Sequence, residues 1–216
     1  MKVGTDGVLI GAWTSVPNGN VLDVGCGSGL ISLMLAQRNQ KCKIDAIDIE
    51  EGAFNQTKIN IENSPFKTQI VTYWSSFQNF QPDKKYELII SNPPFFVNSY
   101  QSEKSTKMIA RHTDELPFED FIFKTVELLQ PNGILSIVLP TIQAELFINL
   151  SKKNELYLNR ICSVQPNFEK APKRVLMEFS LNQSTPQKEQ LTIETNQRHH
   201  YTKEYRNLTK DFYLKF

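Results

Sequence analysis

Glycine is scarce in this chain of 216 residues: nine are present, where an average composition of about 7% would give roughly 15. Seven of the nine (Gly4, Gly7, Gly11, Gly19, Gly25, Gly27, Gly29) fall in the first 29 residues and none follows Gly133, which excludes a collagen-like or Gly-rich linker protein. Long apolar runs are missing too. No stretch approaches 18 apolar residues, so a membrane-spanning helix is excluded. A signal peptide needs an unbroken apolar stretch, and the N-terminus instead carries Asp6 among glycines. The three cysteines, Cys26, Cys42 and Cys162, are widely spaced and form no CxxC, no metal knuckle and no disulfide framework. A reducing cytoplasmic setting without a metal is expected. Charge of one sign is also lacking, since the formal net charge is +1.

What is present is enough apolar material for a core, 40% of residues against 22% charged. Charge is unevenly placed. Residues 1–150 hold 12 Lys+Arg against 16 Asp+Glu, whereas residues 151–216 hold 12 against 7, with His199 and His200 besides. A basic tail fits contact with phosphates and equally fits a solvated surface.

The hydrophobic pattern alternates between strands and helices. Strands are expected at 20–25, 43–49, 69–74, 86–92, 134–139, 156–164 and 174–181, and helices at 30–38, 51–63, 117–130 and 141–154. Pro131-Asn132-Gly133 should end the third of these helices, and the polar stretch Asn182–Gln190 with Pro186 should be a loop. Such alternation implies an α/β fold with a seven-stranded, mostly parallel sheet, helices on both faces and the last strands antiparallel. Residues 93–115 lack periodicity, and so long a connection in a compact domain is usually functional or mobile.

Val21-Leu22-Asp23-Val24-Gly25-Cys26-Gly27-Ser28-Gly29 joins the first strand to its helix. Glycines there let the backbone turn tightly and approach a ligand, and the following helix N-terminus favours an anion. A dinucleotide fingerprint GxGxxG would need a glycine at position 30, which is Leu30. A nicotinamide dehydrogenase is therefore second choice. Asp48 ends the second strand with Ile49 beside it, where a carboxylate can accept bonds from both hydroxyls of a ribose. Asp45 lies at odd spacing from Asp48 and should face elsewhere. Ser91-Asn92-Pro93-Pro94-Phe95 follows the fourth strand. The Asn92 side-chain oxygen and the Pro93 carbonyl can accept both N–H bonds of a planar exocyclic amine, Pro93 and Pro94 stiffen the loop, and Phe95 offers a stacking surface.

The nine-residue glycine turn with Asp48 resembles the class I (Rossmann-like) S-adenosylmethionine-dependent methyltransferases. The resemblance implies that Gly25, Gly27 and Gly29 wrap the methionine part of S-adenosylmethionine. Asp23 would hold its amino group, Asp48 its ribose, and Ser75 or Ser76 would lie near its adenine. NPP followed by an aromatic resembles the amino-methylating branch, with adenine N6, guanine N2 and glutamine-amide acceptors.

Closer still is the bacterial tRNA1(Val) adenine-37 N6-methyltransferase family. The segment Met1–Trp13 with its Lys2-Val3-Gly4-Thr5-Asp6-Gly7, Ser91-Asn92-Pro93-Pro94-Phe95-Phe96, Ala110-Arg111-His112, Leu116-Pro117-Phe118-Glu119-Asp120 and the tail Tyr201–Leu214, with Tyr205-Arg206-Asn207-Leu208-Thr209-Lys210-Asp211-Phe212-Tyr213-Leu214 in it, are similar to it. That likeness implies a tRNA substrate, Lys2, Thr5 and Asp6 closing one side of the cofactor pocket, and Arg111 and His112 gripping RNA. Lys203, Arg206 and Lys210 would contact RNA from one helix face. Thr5 or Asp6 could equally cap a short helix through Trp13.

The expected division is a cofactor-closing segment 1–19, a catalytic domain 20–182 and a basic extension 183–216 on the same domain, acting as a monomer. Guanine-N2 methylation of ribosomal RNA, or an idle RNA-binding protein of this fold, are the other readings. Relatives usually carry a further segment ahead of this start, so either the gene start is misplaced or that segment is missing.

Overall fold

The computed structural model describes residues 4–93 and 116–214. Its centre is an eight-stranded sheet of order β3-β2-β1-β4-β5-β7-β6-β8, formed by β1 (Asn20–Val24), β2 (Lys43–Asp48), β3 (Ile70–Trp74), β4 (Tyr86–Ser91), β5 (Leu129–Pro140), β6 (Tyr157–Gln165), β7 (Arg174–Ser180) and β8 (Gln187–Thr192). Strand β7 pairs antiparallel with both β5 and β6, and every other pair is parallel. The C-terminal ends of the other seven strands therefore share one edge.

Among the described residues, six helices cover the sheet: α1 (Thr5–Trp13), α2 (Leu30–Arg38), α3 (Glu51–Glu62), α4 (Phe118–Leu128), α5 (Thr141–Lys153) and α6 (Lys203–Thr209). Strand residues alternate between two cores, as a sheet buried on both faces requires. Leu88 and Ile90 join Leu9, Ile31, Leu35, Ile61 and Tyr205 from α1, α2, α3 and α6. Ile89, Leu135 and Ile137 join Phe121 and Phe147 from α4 and α5 on the other side. This is why the strands read as near-continuous apolar runs.

The sheet exceeds the expected seven strands by one. Residues 187–192 form β8, which takes the last four residues of the loop expected at 182–190, because β8 is an edge strand that pairs only with β6 and exposes Gln187, Lys188, Glu189 and Gln190. Polar side chains suit an edge and hide the strand from a pattern search. The helix before β5 stops at Leu128 and runs straight into the strand. Pro131-Asn132-Gly133 lies within β5, at a shift of register between Tyr86 and Leu88, and does not form a separate turn.

Helix α1 is buried from Gly7 through Trp13. Its N-cap is Gly4, with no side chain capping, so neither Thr5 nor Asp6 takes that role. Asp6 instead accepts a 2.8 Å bond from Arg174 Nε at the start of β7. The other end of α1 is pinned by Arg160, whose guanidinium lies 4.0 Å from the Trp13 ring and is 2.7 Å from Glu189. Glu189 also accepts from Trp13 Nε1 at 2.8 Å, and buried Glu178 accepts the Ser15 backbone N–H at 2.7 Å. Among the described residues, no helix is long and apolar enough to cross a membrane, and no group of three or more His, Cys, Asp or Glu could hold a metal ion.

Candidate active site

The chain lays down β1, β2 and β3 outward in one direction and then returns to place β4 on the other flank of β1. The edge between β1 and β4 is thus a topological switch point, where open α/β sheets leave a crevice. Both motifs singled out in the sequence emerge there. Val24, last in β1, is in register with Ile47 and Ser91, and the Ser91 hydroxyl donates to the Val24 carbonyl at 2.9 Å.

The glycine turn takes three left-handed residues, with φ of 71° at Gly25, 62° at Gly27 and 76° at Gly29. Its inner amides are tied to β2: Gly25 and Cys26 both donate to the Ile47 carbonyl at 3.0 Å, and Gly27 donates to Asp48 Oδ2 at 2.8 Å. Its outer carbonyls are held by α3, Thr57 donating to Gly27 O at 2.7 Å and Asn60 to Ser28 O at 2.8 Å. A Cβ on Gly25 would meet nothing within 4 Å, so that face of the turn opens onto space. Gly29 is constrained in both ways, since a Cβ there would sit 2.9 Å from Thr57 Cγ2. Gly29→Ala is expected to cost about 1–3 kcal/mol from the left-handed backbone and that contact together, read as a lowered urea midpoint at unchanged slope.

Asp23 lies under the turn, fully buried in β1. Its Oδ2 accepts from the Ser32 hydroxyl at 2.6 Å and the Ser32 backbone N–H at 3.1 Å, so a strand residue caps the first turn of α2. Its Oδ1 has no hydrogen-bond partner among the described residues. Burial pushes the carboxyl up to about 6, against the lowering effect of the Ser32 bonds. A buried carboxylate with one oxygen open is the counterpart a cationic amine would need.

Asp48 closes β2 with Oδ1 accepting from Glu50 N at 2.9 Å and Oδ2 from Gly27 N, whereas Asp45 turns to the other face and bonds Tyr86 OH at 2.7 Å and Lys84 Nζ at 2.8 Å. Beyond Asp48 the chain presents Ile49, 51% exposed, beside Trp74, 58% exposed, with Trp74 Nε1 donating to Ile49 O at 2.9 Å. Ser75 N bonds Asp48 O at 3.0 Å, so Asp48, Ile49 and Ser75 are brought together, while the Ser76 hydroxyl accepts from Asn79 N at 3.3 Å. Trp74 has no role among the expectations drawn from the sequence. Its position one residue before Ser75, at a strand end, was the available signal.

On the acceptor side, Asn92 is half-buried and Pro93 buried. A Cβ on Gly7 would lie 3.8 Å from Asn92 Nδ2 and 3.3 Å from Leu30 Cδ2, which seats α1 directly against the acceptor motif. Asp6 is engaged by Arg174, and Thr5 lines a separate cavity with Pro166, Ile193 and Glu194. Lys203 and Arg206 on α6 and Lys210 at its C-cap are exposed, while Thr202, Tyr205 and Thr209 are buried. Lys2, Pro94, Phe95, Arg111 and His112, with most of the aperiodic stretch 93–115, lie outside the described residues.

An open glycine turn, an acidic strand end and an Asn-Pro corner at one switch point define a class of group-transfer enzyme, the methyltransferases. The Methyltransferase small domain family matches residues 4–146, and the chain belongs to it. Among solved structures, a predicted O-methyltransferase of Agrobacterium tumefaciens superposes with a TM-score of 0.74 at 16% identity, covering 95% of this chain and 96% of that one. A glycopeptide N-methyltransferase complexed with S-adenosylmethionine gives 0.61 at 10% identity, over 82% and 95% of the two chains. These likenesses show the fold.

The particular family follows from curated relatives. A tRNA1(Val) (adenine(37)-N6)-methyltransferase of Flavobacterium psychrophilum is 44% identical over all of this chain and 93% of its own length. One of Aliivibrio fischeri is 40% identical over 99% and 91%. The chain is a member of the tRNA1(Val) (adenine(37)-N6)-methyltransferase family.

Proposed function

We propose that this protein moves a methyl group from S-adenosylmethionine to N6 of an adenine in tRNA, position 37 of tRNA1(Val) being the site the relatives' names indicate. The observation that carries the reading is the position of Asn92-Pro93, directly beside the glycine turn on the switch-point edge, in a chain so similar to those relatives.

The residues present fit the cofactor. Asp23 has a buried oxygen without a partner among the described residues, which its amino group would satisfy, and the face at Gly25 leaves room for its methionine part. Asp48 would exchange its bonds within the loop for ribose hydroxyls, with Ile49 and Ser75, or Ser76, next to the adenine. When bound, the cofactor supplies an electrophilic sulfonium methyl. The protein's part is to hold the acceptor. Asn92 Oδ1 and the Pro93 carbonyl accept the two N6–H bonds, which favours a pyramidal nitrogen with its lone pair directed out of the ring plane. Positioning and electrostatics supply the catalysis, and no strong base is needed before attack. Residues 1–19 would close the cofactor side, 20–182 carry catalysis and 183–216 face the RNA, in a cytoplasmic monomer.

The test is incubation with labelled S-adenosylmethionine and total tRNA from a strain lacking the gene, followed by nucleoside analysis. N6-methyladenosine is the expected product, and methylated guanine would overturn the reading. Replacing Lys203, Arg206 and Lys210 together by alanine should reduce the slope of log affinity against log salt by about 2, as loss of three phosphate contacts requires. An unchanged slope removes α6 from the RNA interface.

A further inference from the structure

Residues 166–173 join β6 to β7 and open on the sheet edge where Asn92 stands, because β6 ends and β7 begins there. Register places this loop beside the acceptor corner. Ser91 is level with Ile137 in β5, which continues to Pro140, level with Arg174 at the foot of the loop. That foot is two strand spacings from β4, about 10 Å, and stands about 10 Å beyond the level of Ser91. Arg174 binds Asp6, and the next residue, Gly7, lies against Asn92. The loop is thus a raised wall on one side of the acceptor motif.

The wall is preorganised. At its foot, Lys173 N donates to Val164 O at 2.9 Å and the Thr141 hydroxyl donates to Pro172 O at 3.0 Å. Its tip is an Asx turn, in which Asn167 Oδ1 accepts the backbone N–H groups of Glu169 at 3.2 Å and Lys170 at 3.1 Å. This frame holds the Phe168 side chain out of the core, 63% exposed. No other ring stacks on it among the described residues, so its surface is open to a ligand.

Single apolar side chains are ordinary on protein surfaces, and place and charge set this one apart. Lys170 and Lys173 are exposed in the same loop, and neither is in an ion pair among the described residues. Glu169 is the loop's single acid. An open ring beside two unpaired cations suits single-stranded nucleic acid, which stacks a base on the ring and sets phosphates on the cations. A protein seated on this wall would crowd the acceptor motif, whereas the substrate has to reach it.

We propose that residues 166–173 form an RNA-docking element, with Phe168 stacked on an unpaired base close to the target adenine and Lys170 and Lys173 on neighbouring phosphates. The assignment rests on the reading that the substrate is RNA. The element holds the RNA and makes no contact with the reacting atoms.

The test is the affinity for an unmodified tRNA1(Val) transcript. Phe168→Ala should raise Kd about tenfold, the value of one stacked base, and Phe168→Tyr, which keeps a stacking surface, should bind like the parent. The ring lies outside the core, so melting temperature and S-adenosylmethionine affinity should stay parental in both. Replacing Lys170 and Lys173 together by alanine should reduce the slope of log affinity against log salt by about 1.4, the loss of two single-strand phosphate contacts. Parental affinity in Phe168→Ala, a tyrosine variant as weak as the alanine one, or an unchanged salt slope in the lysine variant would overturn the docking element. A parental enzyme that binds this RNA but transfers no methyl group to it would instead overturn the proposed function.

Discussion

Asn92→Ala is expected to lower kcat for methyl transfer by about 10²–10³-fold, the usual loss when one preorganised partner of a transition state is removed. The loss should fall on kcat far more than on cofactor affinity, because Asn92 meets the acceptor amine through its side-chain oxygen. Its position is over-determined by the fold. The Ser91 hydroxyl is locked to Val24 O, Ser91 and Val24 are in register, and Pro93 confines the Asn92 backbone to extended geometry. Alanine would keep all of that and remove only the acceptor. Asn92→Asp retains two oxygens for the amine and should keep more activity than alanine. Single-turnover rates with saturating cofactor and RNA, set beside cofactor titrations, separate the two effects. An alanine variant that turns over at the parental rate would show that the Asn-Pro corner is not the acceptor clamp.

The switch-point half of the molecule was legible in the sequence for physical reasons. Left-handed backbone at three positions demands glycine, so the turn after β1 is marked by residue type alone, and α2 runs from Leu30 to Arg38 as its pattern implies. Period two fixes the faces, so Asp45 and Asp48 separate as their odd spacing requires. Residues that act through partners remote in sequence were not legible. Thr57 reads as one more residue on the inner face of α3, yet its hydroxyl holds Gly27 O across 30 positions. Ser32 looks like an ordinary helix residue until it meets Asp23. The staple of α1 by Arg160, Glu178 and Glu189 spans 147 to 176 positions, and no local pattern encodes it. Strand β8 escaped because an edge strand exposes polar side chains, which read as a loop.

Asp23→Asn should move stability and cofactor affinity in opposite directions. Burial raises the Asp23 carboxyl from an ordinary 3.8 to about 6. A raised folded-state pKa means that protonation favours the native state. The contribution is complete below about pH 4 and is lost as the pH climbs through 6, a difference of about 3 kcal/mol at 1.36 kcal/mol per pH unit. At pH 7.5 the cofactor-free enzyme therefore carries a buried charge with one unpaired oxygen. Asparagine removes that charge, keeps an acceptor for Ser32, and should raise the urea midpoint of the free protein at pH 7.5 but not at pH 4.

Cofactor binding should respond the other way, because a cationic amine pairs with the ionised carboxylate and not with a neutral amide. A lost charge-assisted hydrogen bond in a buried site weakens affinity by about 10–100-fold. The parental Kd should also rise as the pH falls below 6, where a proton competes for Asp23, while the asparagine variant shows a flat profile over that range. Titrations of both proteins at pH 5 and 7.5, each beside urea unfolding without cofactor, give the four numbers required. If the variant binds S-adenosylmethionine as tightly as the parent, Asp23 is only the cap of α2 and its open oxygen has no ligand. If it binds weakly and unfolds at higher urea, the strain at Asp23 is held for the cofactor, and binding is what relieves it.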